Sequence, residues 1–137
     1  MGALVGFVVL ALALIAGTAF PSAITVEGSF RHTDSSSMLT PGASCYTRMY
    51  TAGTRVDVTD DTGAVVATGT LDEGIAMVDS DSTYGRLGYA TECAFAFTVD
   101  NVPSGSRSYG IEIAGVPNRL AFSEQEMRNG PGLHNGS

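Results

Sequence analysis

Two cysteines are the residues of this chain whose types and spacing point most directly to chemistry. Cys45 and Cys93 are its only cysteines. Behind an export-type N-terminus such a pair is typical of a disulfide bond, and closing a loop of roughly 50 residues stabilises a fold by about 4 kcal/mol in the chain-entropy model. Free buried thiols are the alternative. A metal site that added His32 or His134 is disfavoured, because the ligand spacing matches no known pattern.

Acidic residues in one polar loop offer the beginning of a cation site. Asp79 and Asp81 lie at positions i and i+2, as calcium ligands do. A helix-flanked calcium loop that began at Asp79 would need glycine at its sixth position and glutamate at its twelfth, where this chain has Tyr84 and Ala90. A solvated turn is therefore the favoured interpretation, and an irregular calcium site is the alternative.

Catalytic patterns are poorly represented in the chain. It has no G-x-S-x-G motif. His32 lies in a predicted loop and His134 in a predicted tail, so a serine–histidine pair is not indicated. Paired carboxylates carry no information among 14 acidic residues. We expect neither an enzyme nor a bound cofactor or metal.

The balance of charge argues against two kinds of partner. The chain carries a net charge of −7, from 14 acidic residues and 7 arginines without a lysine. A nucleic-acid-binding protein needs a cationic face. Anionic lipid repels a negatively charged domain. We therefore predict no nucleic-acid partner, and no lipid binding by the folded domain itself.

Tyrosines supply the candidate interaction surface. The predicted face consists of Tyr46, Tyr50, Tyr84 and Tyr89, because tyrosine is enriched in protein interfaces. The alternative is that these residues, together with Tyr109, pack at sheet edges with their hydroxyl groups in water.

An apolar segment precedes the elements that position these residues. Residues 3–20 are almost unbroken in apolar side chains, and no ionisable side chain occurs before Glu27. Such a run is long enough to cross a hydrocarbon core of about 30 Å. We predict that residues 1–22 are a transmembrane helix or uncleaved signal anchor that contacts the lipid bilayer through residues 3–20. Cleavage after Ala19, as in a signal peptide, is the alternative.

A strand at residues 91–100 organises the predicted domain. Cys93, Phe95, Phe97 and Val99 alternate with small residues, which predicts a strand with its large side chains on a core. The small residues predict that another surface passes close over the back of this strand. Shorter patterns predict further strands near residues 23–30, 55–59, 64–71, 75–78 and 108–114.

These patterns predict an all-β fold, an antiparallel β-sandwich at residues 23–129. Ser123 and Glu126 have the spacing of a capping box, which predicts one short C-terminal helix at residues 123–129. We predict a flexible tail at residues 130–137.

Several short motifs, taken in order, resemble a known group of proteins. They are Cys45-Tyr46, T-D-D-T-G-A-V-V-A-T-G at 59–69, C-A-F-A-F-T-V at 93–99, V-P at 102–103, Y-G-I-E-I at 109–113 and F-S-E-Q-E at 122–126. Over about residues 24–128 the chain resembles a family of small, uncharacterised, exported or membrane-anchored β-domain proteins of mycobacteria and related actinobacteria. The resemblance implies an extracytoplasmic β-domain behind an apolar segment, often with an additional apolar strand after the helix. It supplies no activity.

The expected function follows from the anchor and from the lack of catalytic motifs. A small domain with a retained anchor needs a partner in the membrane. We therefore expect a non-catalytic accessory or interaction subunit of a membrane protein complex, single-pass in the cell membrane, with a disulfide-tied C-terminal domain outside it. The alternative is a secreted soluble domain that binds a small ligand or a cell-envelope component after signal-peptide cleavage.

Overall fold

The computed structural model describes residues 22–33, 39–118 and 120–136, and these residues are mostly β-strand. The elements are β1 (Ala23–Thr33), β2 (Ser44–Cys45), β3 (Arg55–Thr59), β4 (Val65–Leu71), β5 (Gly74–Met77), α1 (Thr83–Arg86), β6 (Glu92–Pro103), β7 (Gly110–Ile113), β8 (Val116–Pro117), α2 (Glu124–Asn129) and β9 (Gly132–Gly136). The strand pairs are antiparallel apart from β1 with β9. The prediction of an antiparallel, all-β fold is confirmed at this level.

The predicted transmembrane segment lies, apart from Ser22, outside the residues that the structure describes. Within residues 22–33, 39–118 and 120–136, no helix has the length and apolar character needed to cross a membrane.

Strand β6 is the centre of the sheet. One of its edges pairs with β1 along nearly the whole length of both strands. Its other edge is shared, because the first part of β6 pairs with β5 and a later part with β4. From β4 the order continues through β3, β7 and β8, while β2 lies outside β5 and β9 outside β1. The described strands thus form one continuous hydrogen-bonded sheet.

The alternation predicted for β6 is confirmed on its inner face. Cys93, Phe95, Phe97 and Val99 are at most 3% exposed. The opposite face differs from the prediction, because Ala96 and Thr98 are exposed and no described element covers them. Small side chains on the back of this strand therefore face solvent, and the expectation of a second surface over them was wrong for the described residues.

A β-bulge carries β6 beyond its predicted end. Ile24 pairs with Val102, whereas Val26 pairs with Val99, so β6 holds one extra residue between these pairs. Asn101, within that stretch, has a positive φ of 59°. Strict alternation would place Val99 and Val102 on opposite faces, but the bulge turns both inward, where both are fully buried.

Serine caps begin both helices. The Ser123 hydroxyl accepts a hydrogen bond from the backbone N–H of Glu126 (3.1 Å), and the Glu126 carboxylate accepts one from the backbone N–H of Ser123 (3.0 Å), which confirms the predicted capping box. The short helix α1 was not predicted. It begins after Ser82, whose hydroxyl accepts from the Gly85 N–H at 2.9 Å.

The C-terminal residues form a strand where a flexible tail was predicted. β9 runs parallel to β1, with Leu133 beside Phe30. Leu133 is 2% exposed. The tail prediction is therefore wrong for residues 132–136, because backbone pairing with β1 and burial of Leu133 outweigh the high glycine content of this stretch.

The pairing registers define two ends of the domain. At one end Ala23 pairs with Pro103, so this is where the chain enters from the N-terminal segment. At the other end Thr33 and Met77 both pair with Glu92. We call these the entry end and the distal end; the β5–β6 connection lies at the distal end.

Candidate functional site

Cys45 and Cys93 form the predicted disulfide bond, with their Cα atoms 5.9 Å apart. Gly74 of β5 lies next to both cysteines and pairs directly with Cys45. A Cβ atom on Gly74 would lie 2.5 Å from the Cys45 carbonyl oxygen and 2.6 Å from the Cys93 sulfur. Both cysteines are buried. The bond is therefore a structural tie between β2 and β6, and it depends on a glycine in the strand between them.

Three of the four tyrosines predicted for an interaction face are exposed. Tyr46 is 80% exposed, Tyr84 43% and Tyr89 46%. Tyr50 is not available to such a face, because it is 3% exposed and its ring packs edge-on against Phe30 at a centroid distance of 4.7 Å. Tyr50 therefore belongs to the aromatic part of the core.

Three further apolar residues, which the sequence analysis did not single out, are exposed in the same part of the chain as Tyr84 and Tyr89. We define the distal patch as five exposed residues at the end of β5 and on the β5–β6 connection: Met77, Val78, Tyr84, Leu87 and Tyr89. Leu87 is the most exposed of them, at 68%. For Met77, Val78 and Leu87 the only sequence signal was their apolar character inside a stretch whose polar residues predicted a loop.

Hydrogen bonds hold the connection that carries the distal patch in a defined conformation. The Tyr89 N–H donates to the Tyr84 carbonyl at 3.0 Å, and the Ser82 hydroxyl donates to the Asp79 carbonyl at 2.8 Å. Leu39 and Ala90 form an antiparallel bridge beside it. The apolar side chains are thus presented by an ordered turn.

A groove of about 440 Å³ lies where β1 and β9 face β7 and β8. Its lining residues are Phe30, Tyr50, Ile113, Val116, Pro117, Asn118, Leu120 and His134. Phe30, Tyr50 and Ile113 are at most 5% exposed and form the floor, whereas Val116 and Leu120 are 50% and 53% exposed. The lining is therefore mostly apolar, and most of its residues were not candidates from the sequence.

A second depression, of about 410 Å³, lies beside the disulfide bond. It is more open to solvent than the first groove. The exposed ring of Tyr46 borders it, and the Ser44 hydroxyl donates a 2.6 Å hydrogen bond to the Glu73 carboxylate there. That hydrogen bond pairs two polar side chains of the lining with each other.

A carboxylate, a histidine and a hydroxyl group meet at the distal end of β1, β6 and β9. The side chain of Glu92 is 6% exposed; one of its oxygens lies 3.3 Å from Nε2 of His134 and the other 3.8 Å from Nη1 of Arg31. The Thr33 hydroxyl lies 2.9 Å from the same His134 Nε2. A catalytic relay needs the acid and the hydroxyl on opposite ring nitrogens. This cluster therefore ties β9 to β1 and β6 and does not activate Thr33.

The acidic loop is organised as a turn. One carboxylate oxygen of Asp79 accepts a hydrogen bond from the backbone N–H of Asp81 at 3.0 Å. Among the residues that the structure describes, no group of three or more His, Cys, Asp or Glu side chains is placed to hold a metal ion. The geometry gives the calcium alternative no support.

Comparison with protein-family models, with curated proteins and with solved structures found no match for the chain.

Proposed function

We propose that this chain is a non-catalytic accessory or interaction subunit of a membrane protein complex. In this proposal residues 1–22 span the bilayer, and the β-domain, which we interpret as a sandwich, stands outside the cell membrane. The disulfide bond supports an extracytoplasmic location, because such bonds persist in oxidising compartments. The observation that carries the proposal is the distal patch.

The distal patch has the composition of a protein interface. Exposed apolar residues grouped on one ordered turn mark interaction sites more often than scattered ones do. Tyrosine and methionine, which are enriched in interfaces, make up three of its five residues. A membrane surface is a poor partner for it, because a domain of charge −7 is repelled by anionic lipid.

The position of the distal patch determines how far from the bilayer a partner is bound. β1 has 11 residues and runs from the entry end to the distal end. A strand of that length spans about 35 Å. With the anchor before Ala23, the patch faces away from the bilayer, toward the extracytoplasmic part of a larger membrane protein.

Site-specific photocrosslinking in intact cells tests this proposal. A benzophenone amino acid is introduced at Leu87 in the distal patch, and at Val65 as the matched control. Val65 is 49% exposed and lies in the first position of β4, toward the entry end. We expect a discrete crosslinked product in the membrane fraction from position 87 and none from position 65.

A second pair of variants separates the domain from the anchor. With the benzophenone kept at position 87, Tyr89→Asp in the same patch should abolish the product, whereas replacing residues 1–22 by an unrelated spanning helix should preserve it. The proposal fails if position 87 gives no product, if both positions give the same products, or if the natural protein is found soluble outside the cell.

A secreted ligand-binding domain is the second candidate function. The observation that favours it is the groove between β1, β9, β7 and β8, which needs no membrane partner to act. Sequencing the N-terminus of the natural protein distinguishes the two: a start at Met1 in the membrane fraction supports the anchored subunit, and a start near Phe20 in the medium supports the secreted domain.

A further inference from the structure

We propose that the groove lined by Phe30, Ile113 and Val116 is a binding site for a small, uncharged, mainly apolar molecule. The site is distinct from the distal patch, and the proposal does not depend on the partner proposed above.

The sheet topology keeps the groove open. Among the described strands β9 pairs with β1 alone and β8 pairs with β7 alone, so no strand pairing joins the two sides. Below the groove, Tyr109 and Phe122 form an antiparallel bridge that connects the chain leading into α2 to the start of β7. The two sides are therefore held together at the entry end and separated above it.

The size of the groove fits a small molecule. Its volume of about 440 Å³ lies within the range of small-molecule sites, about 300–1,000 Å³. The floor residues belong to the core and are almost fully buried, so a flat protein surface does not reach them. A small molecule that enters between the two sides of the groove reaches the floor residues.

The lining selects an apolar ligand. Two aromatic rings, Phe30 and Tyr50, pack against each other at an interplanar angle of 73° and, with Ile113, give the groove an apolar floor that is already dry. Val116 and Leu120, about half exposed, supply the aliphatic surface at its mouth. Removing that exposed surface from water is the main source of affinity for a ligand that covers it.

The polar groups among the described lining residues favour an uncharged ligand over a charged one. Asn118 uses its side-chain oxygen to accept from the Leu120 N–H at 2.9 Å, which leaves its amide hydrogens as donors. His134 is paired with Glu92. The described lining residues include no carboxylate and no arginine or lysine that would neutralise a charged ligand.

Photolabelling of the full chain in lipid nanodiscs tests this site. The probe is 3-trifluoromethyl-3-phenyldiazirine, an uncharged apolar compound, and labelled residues are mapped by mass spectrometry of proteolytic peptides. We expect saturable labelling of the peptides that contain Val116 and Leu120. Peptide mapping separates this signal from labelling of the apolar N-terminal segment by probe dissolved in lipid.

Two matched variants test whether the labelling is specific to the groove. Val116→Asp places a carboxylate at the mouth of the groove and should weaken labelling about tenfold or more, as expected for lost apolar contact and charge desolvation. Val65→Asp introduces the same change at an equally exposed position far from the groove and should leave labelling unchanged. If thermal unfolding shows that the Val116→Asp variant does not fold, Leu120→Asp is used in its place.

Competition identifies the type of apolar ligand. Displacement of the probe by naphthalene indicates an aromatic ligand, and displacement by 1-dodecanol indicates an aliphatic one; either result supports the site. The proposal is overturned if labelling of these peptides is absent or does not saturate, if neither competitor displaces it, or if Val65→Asp reduces it as much as Val116→Asp does.

Discussion

The hydroxyl group of Tyr109 donates a 2.7 Å hydrogen bond to the carbonyl oxygen of Pro103. The same hydroxyl accepts one from the backbone N–H of Ser106 at 3.2 Å. Tyr109 is 1% exposed. One buried side chain thus closes the connection from the end of β6 to β7.

Replacing Tyr109 by phenylalanine should lower the free energy of unfolding by about 1–3 kcal/mol, because the Pro103 carbonyl and the Ser106 N–H lose their partner while the ring stays buried. Urea unfolding measures the change. Tyr84→Phe, at an exposed position, is the matched control and should be within about 0.5 kcal/mol of the wild type. Equal effects of the two substitutions would contradict the role given to the Tyr109 hydroxyl.

Asp57 should make stability depend on pH in the acid range. Burial raises the pKa of Asp57, but hydrogen bonds from Arg55 (2.8 Å) and Thr68 (2.7 Å), with the charge of Arg55, outweigh it and hold the pKa below its usual value. Because the folded-state pKa is the lower one, the ionised carboxylate stabilises the fold. This contribution is present above the unfolded-state pKa of about 3.9 and is lost as the pH falls through the folded-state pKa.

We therefore expect Asp57→Asn to destabilise the domain at neutral pH, and the difference from the wild type to shrink below about pH 4. Thermal unfolding at a series of pH values measures it. Asp61→Asn, at an exposed position of the next turn, controls for the change in net charge. A stability difference that does not vary with pH would show that Asp57 acts only through packing.

Phe97 should be among the most costly residues of the core to truncate. It is 1% exposed, and its ring fills the space left by Gly28 on the adjacent strand. Phe97→Ala should cost about 3–5 kcal/mol, which approaches the whole stability of a small domain. Thr98→Ala, its exposed neighbour, should have a small effect. A melting temperature unchanged by Phe97→Ala would mean that the inner face of β6 is assigned incorrectly.

The inner face of β6 was predictable because Cys93, Phe95, Phe97 and Val99 follow the period of a strand, and burial of large side chains then determines the face. The inward orientation of Val102 was not predictable, because it depends on a bulge at Asn101 that interrupts the alternation of large and small side chains. β9 was missed for a related reason. Its stability comes from pairing with β1, 103 positions away in sequence (Phe30 with Leu133), and local composition carries little of that information.

The candidate sites also divide into those that the sequence predicts and those that it does not. The disulfide bond was predictable because the two cysteines are each other's only possible mates. The groove was not, because its floor and mouth come from four strands, the β2–β3 connection and the segment after β8. Tyr50 illustrates the limit: tyrosine suits an interface and a core equally, and only the packing against Phe30 decides between them.

The last prediction concerns Gly74, which leaves room for the disulfide bond. Because its Cβ position lies 2.5 Å from the Cys45 carbonyl oxygen and 2.6 Å from the Cys93 sulfur, Gly74→Ala forces β2 or β6 to move and should cost about 1–3 kcal/mol, as overpacking does. Gly132→Ala, where the nearest atom lies 3.8 Å away, is the control and should be close to neutral.

A double-mutant cycle separates the sulfur contact from the backbone contact. Replacing both cysteines by alanine should by itself cost about 4 kcal/mol in the chain-entropy model. In that background Gly74→Ala should be less destabilising than in the wild type, because the contact with the sulfur is gone and only the contacts with the Cys45 carbonyl and with Cε1 of Phe95, at 2.7 Å, remain. Urea unfolding of the four proteins gives the coupling energy. A cost of Gly74→Ala that is the same in both backgrounds would show that the backbone of β2 and the Phe95 ring, and not the disulfide bond, require glycine at this position.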